Sequence, residues 1–330
     1  MAFRDILGQE LAVKCLTRSL ARDRITHAYL FTGPEGVGQN EAATILAQSL
    51  NCLENSRGPC GSCSSCRRIL AHNYPDVRRV LPEGNNIKID QIRALRKDIY
   101  YRPLEGGYKV YIISEAHKMT IPAANSLLCI LEEPPPYAVF VLLTSQEAKL
   151  LPTIVSRCQR VAFYPLTLTL IQDKLEAEMG LGREKTGVVA ALAGGSWDRA
   201  RELVESGRAG VVQREILTLA ATICSGNRAG EWQVGGEWEK NEDLPLLLQQ
   251  LLFWFRDLLV LKETGSGELL LHQEEIPRLR QMVQCYSRRG LLEALLAIQE
   301  TMGLLTTNVN TRLALDVLMG RIKPHGVPII

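Results

Sequence analysis

A glycine-rich loop between an apolar strand and a helix constrains the fold of this chain most strongly. Segment 27–32, HAYLFT, is apolar enough to predict a buried strand, and segment 41–50 has the periodicity of a helix. Between them, residues 33–40 read GPEGVGQN, which has the spacing of the phosphate-binding pattern G-x-x-x-x-G-K-[ST]. Strand, glycine turn and helix are the context that this motif requires. The sequence therefore predicts an α/β domain of the P-loop NTPase type; a glycine-rich turn with no nucleotide history is the alternative.

The loop keeps its glycines but lacks the residues that bind phosphate and magnesium. In a working loop, backbone N–H groups cradle the phosphates, a lysine neutralises them and a hydroxyl ligates Mg²⁺. Here Gly33 and Gly38 are present, but Gln39 takes the lysine position and Asn40 the hydroxyl position. A neutral carboxamide cannot offset the charge of a triphosphate, and charge-assisted hydrogen bonds are about twice as strong as neutral ones. We therefore expect that ATP does not bind productively.

A second motif of nucleotide-hydrolysing proteins is also incomplete. Segment 110–114, VYIIS, is an apolar strand that ends where a Walker B motif would present an aspartate to Mg²⁺. Ser114 stands at the aspartate position, and Glu115 follows without a metal to work with. Because two separate motifs have lost their charged ligands, lost catalysis explains the sequence better than one unusual variant.

The chain changes character near residue 165. Before that point, apolar strands alternate with helices, which predicts a parallel sheet covered on both faces. Strands are expected at 27–32, 77–81, 108–114, 139–144 and 160–164, and helices at 9–22, 89–100 and 121–133. The remainder is helical. It predicts a small helical unit at 166–207 and an all-α domain at 208–330 after the nucleotide-binding-like domain 1–165, with a mobile loop at 225–236.

Four cysteines in segment 52–66 form a candidate metal site. They are Cys52, Cys60, Cys63 and Cys66. Two successive C-x-x-C steps let thiolates converge on one ion, and four thiolates in a closed tetrahedron predict structural Zn²⁺. An iron–sulfur cluster is the rival, although the C-x₃-C-P continuation is absent. The other five are interpreted as small core or surface residues: Cys15, Cys129, Cys158, Cys224 and Cys285.

Composition places the chain among ordinary globular proteins. It has 330 residues, 46% hydrophobic and 22% charged, and its net charge of +2 gives no global attraction to nucleic acid. Nine cysteines, an odd number, and an N-terminus without an apolar h-region predict a reducing cytoplasm. Segment 244–261 is apolar but contains four polar residues, so we expect a buried helix and no membrane partner.

Several short motifs together resemble one family. They are Gly8-Gln9, HAYLF at 27–31, the loop from Gly33, the four cysteines, ANSLL at 124–128, LEEPP at 131–135 and Ser156-Arg157-Cys158. This set resembles bacterial clamp-loader AAA+ subunits, and the defective loop makes it most similar to the delta-prime group of the DNA polymerase III holoenzyme. The resemblance covers about the first half of the chain. One departure is Cys129, where the family's helix usually carries a lysine.

The resemblance implies an AAA+ module at 1–165, a helical lid at 166–207 and a collar domain at 208–330. It also implies an assembly and a role for one arginine. The family forms a hetero-pentameric ring with gamma/tau-like motor subunits and a delta-like subunit, and the ring loads the sliding clamp at primer-template DNA. By this resemblance Arg157 reaches across an interface to ATP bound on the neighbouring motor subunit. A guanidinium supplied in trans stabilises charge on a transferring phosphoryl group, and in GTPases it is worth about 10³ to 10⁵ in rate.

Further residues match family positions less specifically. Thr144 and Ser145 correspond to sensor 1 and Arg199 to sensor 2, and without a triphosphate these sensors would be vestigial. A basic helix face, Arg93, Arg96 and Lys97, resembles the helix that tracks template phosphates. The leading hypothesis is a non-hydrolysing clamp-loader subunit without intrinsic ATPase, in a holoenzyme whose polymerase activity lies in other subunits. The alternatives are an active gamma/tau-like ATPase and a zinc-dependent nucleic-acid-binding module.

Overall fold

Five parallel strands form the sheet of the N-terminal unit. They are Ala28–Thr32 (β1), Val77–Val80 (β2), Lys109–Ile113 (β3), Ala138–Thr144 (β4) and Gln159–Ala162 (β5). Their order is β2-β3-β4-β1-β5, and every neighbouring pair is parallel. A parallel sheet is covered on both faces, so its central strands are apolar throughout; all seven residues of β4 are buried. The predicted α/β fold is confirmed, with strand ends displaced by one or two residues.

The computed structural model describes residues 3–54, 58–225, 228–305 and 309–323. The chain divides into two units: Met1–Leu170 with Gly195–Asp198, and Ile171–Gly194 with Arg199–Ile330. The finer division into domains 1–165, 166–207 and 208–330 stays a prediction.

Helices pack against both faces of the sheet, and strand alternation decides which side chains meet them. The helices of this unit are Glu10–Ala21 (α1), Gln39–Leu50 (α2), Ser64–Leu70 (α3), Ile89–Ile99 (α4), Ile121–Glu132 (α5) and Pro152–Val155 (α6). Short 3-10 helices span Phe3–Asp5, Ala116–Lys118 and Glu147–Lys149. Tyr29 and Phe31 point to the core that contains α1 and α2, while Leu30 points to the core of α4 and α5. This two-residue period follows from the pleat of a strand.

The rest of the described chain is helical. Its helices are Leu168–Met179 (α7), Arg183–Ala193 (α8), Trp197–Glu205 (α9), Arg208–Cys224 (α10), Arg228–Trp238 (α11), Leu244–Thr264 (α12), Ile276–Val283 (α13), Arg288–Leu304 (α14) and Thr311–Arg321 (α15), with a 3-10 turn at Gln273–Glu275. Helix α12 lies at the centre of the second unit, in contact with α10, α13 and α14.

The predicted mobile loop at 225–236 is wrong, because helix α11 occupies most of it; residues 226 and 227 lie outside the described part. Val234 and Trp238 are buried, and α11 packs against α10 and α15. Gly235 lies where a larger side chain would meet Met319. Burial of these apolar residues overrides the low helix propensity of glycine.

Among the described residues, α12 alone is long and apolar enough by composition to cross a membrane. Most of the helix is buried, including the polar residues Gln250 and Asp257. The central helix of a globular domain passes the same test of length and composition, so the burial favours the predicted core helix.

Candidate functional site

The glycine loop lies between β1 and α2, at the carboxyl edge of the sheet. Gly33, Gly36 and Gly38 have φ values of 151°, 72° and 106°, a region that favours glycine. A Cβ at Gly33 would collide with the backbone carbonyl of Phe163. The Gly33 N–H donates to the carbonyl of Thr144 at 3.1 Å, which ties the loop to the end of β4. The backbone therefore requires the glycines that the motif predicts.

Gln39, at the lysine position, is turned into the loop. Its side chain is 6% exposed, and Nε2 donates to the carbonyl of Gly33 at 3.1 Å. The carboxamide thus closes the loop on itself and brings no positive charge to it. Asn40 is exposed, and its backbone carbonyl accepts a hydrogen bond from Thr44 at 2.7 Å.

Glu35 is an exposed acidic residue within the loop. The carboxylate of Glu35 accepts a hydrogen bond from the Ser145 hydroxyl at 3.1 Å. Ligand atoms of Glu35, Glu115 and His117 lie within 4.8 Å of one another. Glu35 was not among the residues predicted from the sequence, although an acidic residue inside a phosphate-binding pattern indicates repulsion of phosphate.

Side chains from β3 and β4 complete the site. The structure brings Ser114, Glu115, Thr144 and Ser145 to the same cavity beside the loop. His117 Nδ1 lies 3.1 Å from the Thr144 hydroxyl, which also accepts the N–H of Gln146. Burial lowers the pKa of His117, more than the nearby carboxylates raise it, so its imidazole is neutral near pH 7.

The cavity at this site has a volume of about 50 Å³. Ligand pockets for small molecules have volumes of about 300–1,000 Å³. In the same unit, the N–H of Trp197 donates to the carbonyl of Gly36 at 2.9 Å, so segment 195–198 is anchored to the loop. At roughly 30 Å³ for each water molecule, the cavity has room for one or two waters and is too small for a triphosphate.

The four cysteines converge after helix α2. All four Sγ atoms lie within 4.8 Å of one another, and those of Cys60 and Cys66 are 4.0 Å apart. A tetrahedral zinc site with Zn–S bonds near 2.3 Å has S–S separations of about 3.8 Å. Cys63 caps α3, and its sulfur accepts the N–H of Cys66. The cluster can therefore bind a metal ion.

The environments of the thiols differ within the cluster. Backbone donation from Cys63 lowers the pKa of Cys60 to about 6, whereas burial raises the pKa of Cys66 to about 12. A dication at the centre would favour the thiolate form of all four, because metal binding displaces the thiol protons.

Arg157 lies in the turn between α6 and β5. One guanidinium nitrogen donates to the carbonyl of Thr153 at 3.0 Å, and another donates to Glu132 at 2.9 Å. Its side chain is 36% exposed. The arginine is therefore held at the surface by an ion pair that is accessible to solvent, and such pairs contribute about 0–1 kcal/mol.

Comparisons with known proteins identify the family. The family described as "DNA polymerase III, delta subunit" matches residues 8–167. The delta' subunit of DNA polymerase III from Bacillus subtilis is 33% identical over 311 residues, covering 92% of this chain and 93% of that protein. The chain belongs to the delta-prime family of clamp-loader subunits. The polymerase activity of the DNA polymerase III holoenzyme lies in other subunits.

Tau and gamma-related subunits are also similar to this delta-prime family member. The tau subunit of Bacillus subtilis is 31% identical over 297 residues, which cover 83% of this chain and 53% of tau. A gamma subunit-related protein from Thermotoga maritima, solved at 2.00 Å, aligns over 94% of this chain and 98% of its own, with 20% identity and a TM-score of 0.42.

Two predicted sets of residues remain, one on helix α4 and one in the second unit. Arg93, Arg96 and Lys97 are exposed on one face of α4, opposite the buried residues of that helix. Arg93 pairs with Asp90 at 3.4 Å, while Arg96 and Lys97 have no acidic partner within the described ranges. Arg199 belongs to the second unit, where it donates to Gln249 at 3.1 Å.

Proposed function

We propose that this chain is a non-hydrolysing subunit of the clamp loader, which supplies Arg157 to ATP bound by a neighbouring motor subunit. The observation that carries the proposal is the inward-turned Gln39, whose amide closes the loop where a lysine would bind phosphate. Glu35 and Glu115 add negative charge at the same place. These two carboxylates would repel the negative charge of a triphosphate bound in the loop, and this repulsion disfavours binding.

The position of Arg157 supports the second half of the proposal. Its guanidinium is accessible to solvent on the unit that carries the sheet, and among the described residues one surface ion pair and one carbonyl hold it. If the Arg157 guanidinium moves from Glu132 to a phosphate oxygen, it exchanges one charge-assisted hydrogen bond for another. The planar guanidinium is also suited to bidentate contact with phosphate. The chain thus completes a catalytic site that it does not itself contain.

The partners follow from this role. In the proposed assembly the chain joins gamma/tau-like motor subunits and a delta-like subunit in a hetero-pentameric ring in the cytoplasm. The exposed cations of α4, Arg93, Arg96 and Lys97, contact the phosphate backbone of primer-template DNA without reading its sequence. Loading of the sliding clamp is the work of the whole ring. Thr144, Ser145 and Arg199 are then vestigial sensors.

A titration of the isolated chain with Mg-ATP tests the loss of nucleotide binding. We expect a Kd weaker than about 1 mM, which corresponds to about 4 kcal/mol of binding free energy. The reason is that Gln39 cannot replace the cation, and the cavity of about 50 Å³ is too small for a triphosphate. Isothermal titration calorimetry measures the affinity directly.

The similarity to tau makes an active motor subunit the specific alternative. Saturable binding of Mg-ATP at micromolar concentration, with hydrolysis by the isolated chain, would establish that alternative and refute the proposal. A Gln39→Lys, Asn40→Thr variant serves as a comparison, because it restores the two lost ligands of the motif.

Structural zinc at the four cysteines is part of the proposal. Zinc prefers tetrahedral thiolate sites, and the close sulfurs suit its bond length. We expect one equivalent of zinc in the purified chain, and its loss in Cys66→Ser, since Cys66 is the fully buried member of the cluster. Metal analysis by mass spectrometry measures the content, and Cys129→Ser, at an exposed cysteine outside the cluster, is the matched control.

Two results would contradict the zinc assignment. Bound iron with the visible absorption of an iron–sulfur cluster would establish the iron–sulfur alternative. Wild-type protein that contains no zinc and is fully stable would show that the fold needs no metal at the four cysteines. DNA affinity that disappears with the zinc would instead support the nucleic-acid-binding module, whereas the clamp-loader role predicts that α4 binds DNA without it.

A further inference from the structure

Two exposed tyrosines follow the basic face of α4. Tyr100 caps the carboxyl end of the helix, and Tyr101 is the next residue in the chain. The two residues are 62% and 72% exposed. Neither ring makes a hydrogen bond or a ring contact with any part of the chain that the structure describes. Aromatic side chains bury a large area when they bind, so an adjacent pair left in solvent indicates an interaction surface.

Positive charge lies beside these rings. The three cations of α4 and Tyr100 line the same open concavity, which has a volume of about 700 Å³. This volume is within the range of ligand-binding clefts, about 300–1,000 Å³. The acid that also lines the concavity, Asp90, is paired with Arg93 at 3.4 Å. Arg102, which follows Tyr101, is exposed and has no acidic partner among the described residues. The surface is therefore cationic next to its aromatic rings.

The stability of α4 explains only part of this arrangement. Arg96 and Lys97 lie in the last turn, where cations complement the helix dipole. Arg102 lies beyond the helix, and the two exposed tyrosines bury little area against the rest of the fold. The rings and the additional cation are therefore not required to form the helix.

The backbone that carries the tyrosines is held in place by hydrogen bonds. The Tyr100 carbonyl accepts a bond from the Tyr137 hydroxyl at 3.2 Å, and the Tyr101 N–H donates to the carbonyl of Asp98 at 3.1 Å. In the loop that follows, three successive backbone N–H groups donate to the buried carboxylate of Asp76, at 2.8, 2.8 and 3.0 Å. An ordered segment loses less conformational entropy on binding than a mobile one.

We propose that Tyr100 and Tyr101 stack on the bases of single-stranded DNA while the cations of α4 and Arg102 contact its phosphates. This inference rests on the proposed contact between α4 and DNA, and it specifies the form of DNA that the surface binds. Proteins that bind single strands combine a positive groove with aromatic rings, on which the faces of unpaired bases stack. A duplex offers the cations its phosphates, but its base faces are already stacked on one another. In a primer-template, the surface therefore binds the unpaired part of the template.

Fluorescence anisotropy of the full chain at low salt tests this inference with two labelled probes. One is an oligo(dT) of about 16 nucleotides, within the site sizes of single-strand-binding folds, and the other is a duplex of the same length. Tyr100→Ala and Tyr101→Ala are each expected to weaken binding of oligo(dT) by about 5-fold or more, as loss of one base–aromatic stack does. Binding of the duplex is expected to stay unchanged. Tyr100→Phe keeps the ring and is expected to bind both probes like wild type.

Two further variants separate stacking from charge. Tyr164→Ala is the matched control, because Tyr164 is a tyrosine of the same unit that is 54% exposed and lies outside α4. This variant is expected to bind both probes like wild type. Arg96→Ala is expected to weaken binding of both probes, because phosphate is common to them.

Unchanged binding of oligo(dT) by both tyrosine-to-alanine variants, or an equal loss on the two probes, would overturn the inference. Normal binding of oligo(dT) by these variants, together with loss of sliding-clamp binding in a reconstituted ring, would show that the tyrosines dock a protein instead. If Arg96→Ala changes the binding of neither probe, the proposed contact between α4 and DNA fails together with this inference. A failure confined to the tyrosine variants leaves the phosphate contact in place.

Discussion

Replacing Arg157 by alanine is expected to slow ATP hydrolysis at the interface that this chain completes by about 10³-fold or more, as loss of an arginine finger does in GTPases. The guanidinium is the only group of this chain that the proposal places on the transferring phosphoryl. Single-turnover hydrolysis in a reconstituted clamp loader, with primed DNA and clamp present, measures the effect. Arg157→Lys keeps the charge but loses bidentate contact, so its rate is expected to stay far below wild type.

The controls for this experiment separate chemistry from assembly. Arg160→Ala removes a nearby arginine that pairs with Glu147 at 2.6 Å, and it is expected to leave hydrolysis unchanged. Assembly of the Arg157→Ala complex, followed by size-exclusion chromatography, is expected to be normal, because the pair with Glu132 is exposed. Wild-type hydrolysis and clamp loading by an assembled Arg157→Ala complex would refute the trans role.

Replacing Asp257 by alanine is expected to lower the free energy of unfolding of the second unit by about 3–5 kcal/mol, as loss of one partner in a buried ion pair does. The carboxylate is fully buried on α12 and accepts the N–H groups of Leu271 and His272, each at 2.9 Å. It also bonds His272 Nδ1 at 2.8 Å and Arg256 at 2.7 Å. The substitution leaves all of these donors without their acceptor.

Urea unfolding followed by tryptophan fluorescence measures this loss, since three of the four tryptophans belong to the second unit. Glu263→Gln is the matched control on the same helix. Its partner Arg288 is 3.1 Å away at the surface, so the change is expected to be below about 1 kcal/mol. A loss in Asp257→Ala no larger than in this control would contradict the assignment of a structural network.

The pH dependence of the same substitution has a definite sign. Burial alone would raise the pKa of Asp257, but the hydrogen bonds and charge of His272 and the bond from Arg256 outweigh it, so the pKa is lowered. A lowered folded-state pKa contributes stability above the unfolded value, near 3.9, and this contribution is lost as the pH falls through the folded value. The difference between wild type and Asp257→Ala is therefore expected to narrow below about pH 4.

The periodicity of apolar residues predicted most strands and helices of the N-terminal unit, but it failed to predict helix α11 in the second unit. Strands β1, β3 and β4 have continuous apolar runs because a central parallel strand is buried on both faces. Helix α11 has three glycines and no clear apolar stripe, so its sequence alone favours a loop. Its formation depends on burying Val234 and Trp238 against other helices, and that information is not local.

The candidate site divides in the same way. The sequence located Gln39, Asn40, Ser114 and Glu115, because a motif fixes residue positions relative to its glycines. It could not show that Gln39 turns inward to Gly33. It also could not show that Glu35 meets His117, since this requires β4 to lie between β1 and β3 so that Ser145 and Thr144 can link the two.

The sequence by itself determined the identity and the spacing of the charged and uncharged groups, and therefore the α/β fold, the four-cysteine set and the loss of the phosphate-binding cation. Only the tertiary structure decided which of these groups meet. Covalent spacing is set by the chain, whereas the order of the parallel strands decides which loops are neighbours at the carboxyl edge of the sheet. The convergence of Glu35, Glu115 and His117 is a consequence of that order.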